Sequence, residues 1–399
     1  MADRSVDMVL IGGGIAAASA AAELRERGFD GSILLATREL EAPYHRPPVT
    51  KGLLTGKDER HAIRIHPEDW WERQNVELRT RSGVMALDTD AREATLANKE
   101  TVAFGQALLA TGAMVRRLDV DGTDLEGVHY LRAPGNAESL RSDVESVERI
   151  LIVGGSYIGC EVAASLTSAG KRCTILMQES EPLERGFGPQ VGAAVRRLLE
   201  QRGVEIHGAQ EVARIEGDER AAAVISASGE RFEAEAVVIG VGAIPDVMLA
   251  KKAGLELGDA GGVRCDSRLR TSAEGVYAAG DMCEFESVLH GRHVRIEHEE
   301  VAAAQGCTAA RNMLGEDVAH ELVPYFWSDL ADWASLEYVG LGGEWDEEEW
   351  DGSPEDDDFT VVYRRAGRVV GALALNRGDA LDEARRRIVA DARATGKTS

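Results

Sequence analysis

Apolar residues along this chain gather in short, unbroken runs that glycine stops, and two of these runs match. Val9-Leu10-Ile11-Gly12-Gly13-Gly14-Ile15-Ala16-Ala17 aligns without a gap on Leu151-Ile152-Val153-Gly154-Gly155-Ser156-Tyr157-Ile158-Gly159. The match continues, with Ala21, Leu24 and Gly28 opposite Ala163, Leu166 and Gly170, and Ile33-Leu34 opposite Ile175-Leu176. Apolar runs without polar alternation suit strands buried on both faces. Each copy therefore predicts a strand, a tight glycine turn, a helix of small residues and a second strand. That arrangement sets a helix N-terminus and its free N–H groups beside a pyrophosphate. One such glycine turn could reflect close helix packing alone, whereas two copies in register predict two dinucleotide sites.

The first unit spans residues 6–36. After it comes Pro43-Tyr44-His45-Arg46-Pro47-Pro48, which cannot continue a helix or a central strand. A run at residues 106–110 ends at Thr111-Gly112, where the chain can leave the first unit, and the second unit begins at Arg149. Strand-like alternation fills much of residues 205–241 and closes at Gly242-Ala243-Ile244-Pro245. A buried strand within residues 275–281 ends on Gly280-Asp281, and a helical run follows from Glu299 to Met313. Both are expected to return to the first unit. Beyond Leu322 the composition shifts: Trp327, Trp333, Trp345 and Trp350 are four of the six tryptophans, and ten acids crowd residues 344–358. That charge run reads as a solvated surface loop. The whole pattern predicts an α/β chain with two Rossmann-like dinucleotide-binding domains and a small α+β C-terminal domain. The expected division is 1–112 with 243–321, then 113–242, then 322–399.

Composition narrows the partners. A chain of 399 residues exceeds the size, about 250–300 residues, at which single cores stop growing. A formal net charge of -24 excludes nucleic acid and anionic membrane as partners, because no basic stripe outweighs that field. No apolar run approaches the ~20 residues that span a bilayer, and the first strand begins by Val6 with no leader-like segment before it. A cytoplasmic protein is expected. Cys160, Cys173, Cys265, Cys283 and Cys307 form no CxxC and no His-Cys cluster, so neither a metal nor a disulfide framework is expected. Each reads as a small buried hydrophobe.

The motifs taken together are more specific. Gly12-x-Gly14-x-x-Ala17, Pro43-Tyr44-x-Arg46-Pro47-Pro48-x-Thr50-Lys51, Ala110-Thr111-Gly112, Gly154 to Glu161, Tyr277-Ala278-Ala279-Gly280-Asp281 and Phe326-Trp327-Ser328-Asp329 occur in this order. In this the chain resembles the FAD-dependent NAD(P)H reductases that serve ferredoxins and rubredoxins, and the apoptosis-inducing-factor-like flavoproteins share much of the pattern. The resemblance covers essentially the whole chain. It implies that the first repeat holds the FAD pyrophosphate through Gly12, Gly14 and Ala17, with Arg46 near the phosphates, Glu39 at the adenosine ribose and Asp281 at the ribityl hydroxyls. Thr111 and Gly112 are implied beside them. Lys51 and Glu161 are implied to meet beside the reactive flavin edge, with Trp327 near its face, and all three are candidate catalytic residues. Gly154, Gly155, Ser156, Ile158, Gly159, Glu179 and Gly242 are the implied pyridine-nucleotide site. NADH is the expected donor, with NADPH as the alternative.

Three departures stand out against that family. Ser156 replaces a third glycine, and a Cβ there is expected to narrow the approach to phosphate. Met177 and Gln178 replace the usual acid after the second strand, leaving Glu179 as the nearest. Glu299 follows His298 where many relatives carry tryptophan, which is expected to change polarity near the flavin pyrimidine. Disulfide reductases of related fold carry a redox-active cysteine pair soon after the first unit, but residues 42–56 contain no cysteine. The expected reaction is therefore hydride transfer from nicotinamide to flavin, then delivery to a ferredoxin-like one-electron carrier. The alternatives are an NADH oxidase or quinone reductase, and a redox-sensing protein with slow turnover. Arg385-Arg386-Arg387 could offset the acidity locally, although a helix C-terminal basic cluster explains it more simply.

Overall fold

The computed structural model describes residues 2–394. Both glycine-stopped runs become central strands. Arg4–Ile11 pairs in parallel with Ile33–Ala36 on one side and Thr101–Leu109 on the other, and Val9 and Leu10 have no exposure. Outward from there the sheet adds Val76–Arg79 at one end and Glu93–Leu96 with Val84–Asp88 at the other. The later strand Val276–Ala278 returns to lie beside Thr101–Leu109, with Val276 opposite Ala107.

The second sheet repeats the plan. Its five strands run Glu205–His207, Arg172–Leu176, Arg149–Val153, Ala236–Ile239 and Val128–His129 in spatial order, all parallel. The chain passes from the first sheet to the second through Ala113–Val115 and comes back through Ala243–Pro245. These two short strands pair antiparallel, Val115 opposite Ala243.

The third sheet is antiparallel and ordered Tyr325–Leu330, Ala334–Gly340, Arg368–Leu375, Asp358–Arg365, Glu347–Ser353, with the helix Leu381–Ala394 packed against it. Two expectations change here. The acidic stretch is no loop: Glu347–Ser353 is an edge strand, with Trp350 opposite Val361. Its alternation is hidden in the sequence because acids occupy both of its faces, and charge on an edge strand blocks pairing with a further chain. Arg385, Arg386 and Arg387 lie in the first half of their helix rather than at its C-terminus, where two of them pair with Glu383 and Arg385 lies over the Tyr325 ring.

Candidate active site

One cavity of about 1460 Å³ runs from the first glycine turn to the start of the second repeat's helix. At its first end Gly12 has φ +135, and a Cβ there would lie 2.1 Å from the Ala110 carbonyl oxygen, whereas one on Gly14 would meet nothing within 4 Å. The backbone is therefore bare where a phosphate group would approach. Helix Ile15–Glu26 begins at this turn with no side-chain cap, so its leading N–H groups are available to an anion. Ala17 is fully buried and does not line the cavity. Beside it the helix Glu299–Met313 crosses so closely that a Cβ on Gly306 would sit 2.1 Å from the Ala16 carbonyl.

Along the wall the charged residues form one network. Arg46 donates to Glu39 at 3.1 Å, to the Tyr44 hydroxyl at 3.2 Å and to the Arg132 carbonyl at 3.0 Å. Arg132 in turn lies 3.7 Å from the Asp281 carboxylate. Arg38, the sequence neighbour of Glu39, pairs instead with Asp246 at 2.8 Å. Burial pushes the Asp281 carboxyl above its ordinary value, against the pull of Arg132, and burial lowers the Arg132 pKa. Thr111 donates to the Asp246 carbonyl at 2.6 Å, and Gly112 turns the chain with φ +69.

At the far end, Lys51 reaches Glu161 at 2.8 Å. The same carboxylate accepts Ser328 at 2.8 Å and Thr50 at 2.5 Å, so three donors, two from the proline loop and one from the C-terminal sheet, converge on one buried acid. Trp327 is 37% exposed at the cavity's edge. His298 packs on Phe326 with ring centroids 4.6 Å apart. Burial pushes His298 down to about 4, and its Nδ1 has no partner among the described residues. Glu299 also lines the cavity and is bonded to His45.

The second glycine turn has the same backbone logic. Gly154 has φ +111, with a Cβ meeting the Gly240 carbonyl oxygen at 2.4 Å, and a Cβ on Gly159 would meet the Gly154 oxygen at 2.0 Å. Ser156 turns back on the helix: its hydroxyl donates to the Gly240 carbonyl at 3.0 Å and accepts the Gly159 N–H at 3.4 Å. It therefore serves as the N-cap of Tyr157–Ser168. Met177 is buried, with its sulfur 2.3 Å from where a Gly155 Cβ would stand, and Glu179 is ion-paired with Arg185. Ile158, Gly242 and Glu161 line the shared cavity, while Gly154, Gly155, Ser156, Gly159 and Glu179 lie outside it. Arg132, Thr50 and Ser328 are the participants that sequence reasoning did not single out. Thr50 and Ser328 stand inside motifs already quoted, so adjacency to Lys51 and Trp327 was a usable signal; Arg132 had none.

The bare turn, the length of the cavity and the unpartnered His298 nitrogen fit a dinucleotide entering at Gly12 and ending near Lys51. A second nucleotide turn meeting the same ion pair defines a two-nucleotide redox enzyme. The chain belongs to the pyridine nucleotide-disulphide oxidoreductase family, whose model matches residues 6–306, followed by a reductase C-terminal match over 325–398. It is an FAD-dependent NAD(P)H oxidoreductase. It is 34% identical over 387 residues to the ferredoxin–NAD(+) reductase component of the anthranilate 1,2-dioxygenase system of Burkholderia cepacia, covering 96% of this chain and 94% of that one. Against the rubredoxin–NAD(+) reductase of Pseudomonas putida it is 32% identical, over 84% of this chain and 86% of the relative. The crystal structure of the covalent putidaredoxin reductase–putidaredoxin complex superposes with TM-score 0.92 at 30% identity, covering 98% of this chain and 94% of that one. Cys160, inside the second motif, is buried, and burial pushes its thiol up to about 12.

Proposed function

We propose that this protein carries electrons from NADH, with NADPH as the alternative donor, through FAD to a ferredoxin-like iron–sulfur carrier. Bound FAD supplies the chemistry, taking a hydride from nicotinamide and releasing electrons singly. The chain's part is alignment. Gly12, Gly14 and the helix behind them hold the phosphates, Arg46, Arg132 and Asp281 fix the middle of the cofactor, and Glu39 takes the ribose. Lys51 and Glu161 fix the distance between the two nucleotide sites, and Trp327 guards the edge. The observation that carries this reading is the junction on Glu161: it joins both nucleotide units and the C-terminal module at the end of one cavity. No cysteine lines that cavity among the described residues, which supports an external carrier over a disulfide. The three-part division at residues 112, 242 and 321 is proposed on the same grounds, since the paired strands Ala113–Val115 and Ala243–Pro245 are where the chain crosses. A cytoplasmic location is proposed from the donor and from five free thiols.

The test is rapid mixing of the flavoprotein with NADH and NADPH, then with ferredoxins, quinones and oxygen. Reoxidation by a ferredoxin at least about tenfold faster than by oxygen or quinone is expected. With a net charge of -24 and Arg386 and Arg387 already paired with Glu383, an acidic carrier should be reduced faster as salt rises. Reoxidation indifferent to every carrier would replace this reading with an oxidase.

A further inference from the structure

Besides Glu161, a second acid ties the proline loop to another part of the chain. Glu299 is the first residue of the helix Glu299–Met313. Its Oε1 lies 2.6 Å from His45 Nδ1, and its Oε2 accepts the Arg46 backbone N–H at 3.1 Å. The loop held this way presents Arg46 and Lys51 to the cavity, whose wall Glu299 shares. The Glu299 side chain is 16% exposed and that of His45 43%, so the acid is largely desolvated while water reaches the imidazole. When His45 loses its proton, Glu299 is left with an uncompensated charge on the wall of a cavity that takes a phosphate-bearing cofactor. Like charges in one partly desolvated cavity repel.

We propose that His45 and Glu299 are positioning residues for FAD, forming a latch that holds the proline loop against the cavity and that the proton on His45 tightens. The proposal rests on the assignment of this cavity to FAD. Among the described residues no other group supplies the missing charge. Arg46, on the same loop, is committed to Glu39, Tyr44 and the Arg132 carbonyl. His66, on the segment that leads to Trp70, has its pKa lowered by burial, away from the charged form. Glu300, the next acid of the helix, feels Arg385 instead. The bond to Glu299 raises the His45 pKa above its ordinary value. The latch therefore contributes fully below the ordinary histidine range, about pH 6.5, and its contribution fades as pH rises through the raised value.

The experiment follows FAD release from the holoenzyme by the gain in flavin fluorescence, from about pH 6 to about pH 9. The native release rate should rise about fivefold across that window, as expected for a single proton linked to binding. The rate should be nearly flat in His45→Gln, fixed near the native high-pH value, and nearly flat in Glu299→Gln. A native rate independent of pH, or an unchanged pH profile in His45→Gln, overturns the latch. If either variant fails to fold, the native protein still decides: NMR titration of the His45 imidazole should give a higher pKa with FAD bound than in the FAD-depleted chain, and equal values overturn the proposal. A chain that takes up no FAD at any pH would overturn the cofactor assignment itself.

Discussion

Glu161 shows what one side chain does in this molecule. Its carboxylate is 8% exposed and faces Lys51 at 18%, with two hydroxyls completing its acceptor sites. Glutamine in its place turns an amide N–H₂ toward these donors and leaves the lysine charge without a partner. Removing one member of a buried pair costs several kcal/mol because the other charge stays behind. Glu161→Gln should lower holoenzyme stability by about 3 kcal/mol in urea unfolding, and Lys51→Met added to it should restore part of that loss. A cost below about 0.5 kcal/mol would mean that the pair is effectively solvated. The sequence placed Lys51 and Glu161 together through their motifs, but it was silent on Arg132. That residue follows an ordinary Leu131 and reaches the Asp281 carboxylate only through the fold. Glu39 was legible as an acid beside the second strand, and its bond to Arg46 rather than Arg38 depends on where the proline loop lands.

At the scale of elements, the two glycine turns make separable demands. Gly154 needs its left-handed backbone, and its Cβ would strike a carbonyl that cannot yield, whereas a Cβ on Gly155 would strike only the Met177 sulfur. Gly154→Ala should therefore raise the NADH KM more than about a hundredfold, near 3 kcal/mol, while the flavin absorbance stays native. Gly155→Ala should cost about tenfold or less, and Met177→Ala should relieve most of it. Equal effects from the two glycines would refute this ranking. The edge strand makes a different prediction. Changing Glu347, Glu349 and Asp351 to threonine removes exposed charge from a sheet edge, and should produce concentration-dependent self-association in sedimentation velocity. An unchanged sedimentation coefficient would show that the acids have another purpose. The helix Glu299–Met313 was legible to its ends because an uninterrupted small-residue pattern fixes it. The acidic strand was not, because its partner strand, and not its own periodicity, determines its conformation.

For the whole molecule, the internal repeat carried most of the architecture, since each copy specifies a strand, a turn and a helix locally. What the repeat does not encode is docking. Ser328 reaches Glu161, Tyr363 donates to the Phe187 carbonyl at 3.0 Å, and a Cβ on Gly188 would meet Glu348 at 3.1 Å and Trp345 at 3.2 Å. These contacts place the C-terminal sheet against the second repeat through shape and aromatic packing. Tyr157, Phe187, Phe326 and Tyr338 form a cluster there, and nothing in the sequence joins these four positions.

The narrow crossing at Ala113–Val115 and Ala243–Pro245 has a topological consequence. Both passages lie side by side in one antiparallel pair, and the sheet of the first unit is completed when Val276–Ala278 joins Thr101–Leu109. Everything between departs and re-enters at a single seam. Inserting or removing residues 116–242 therefore rethreads no strand of the first sheet.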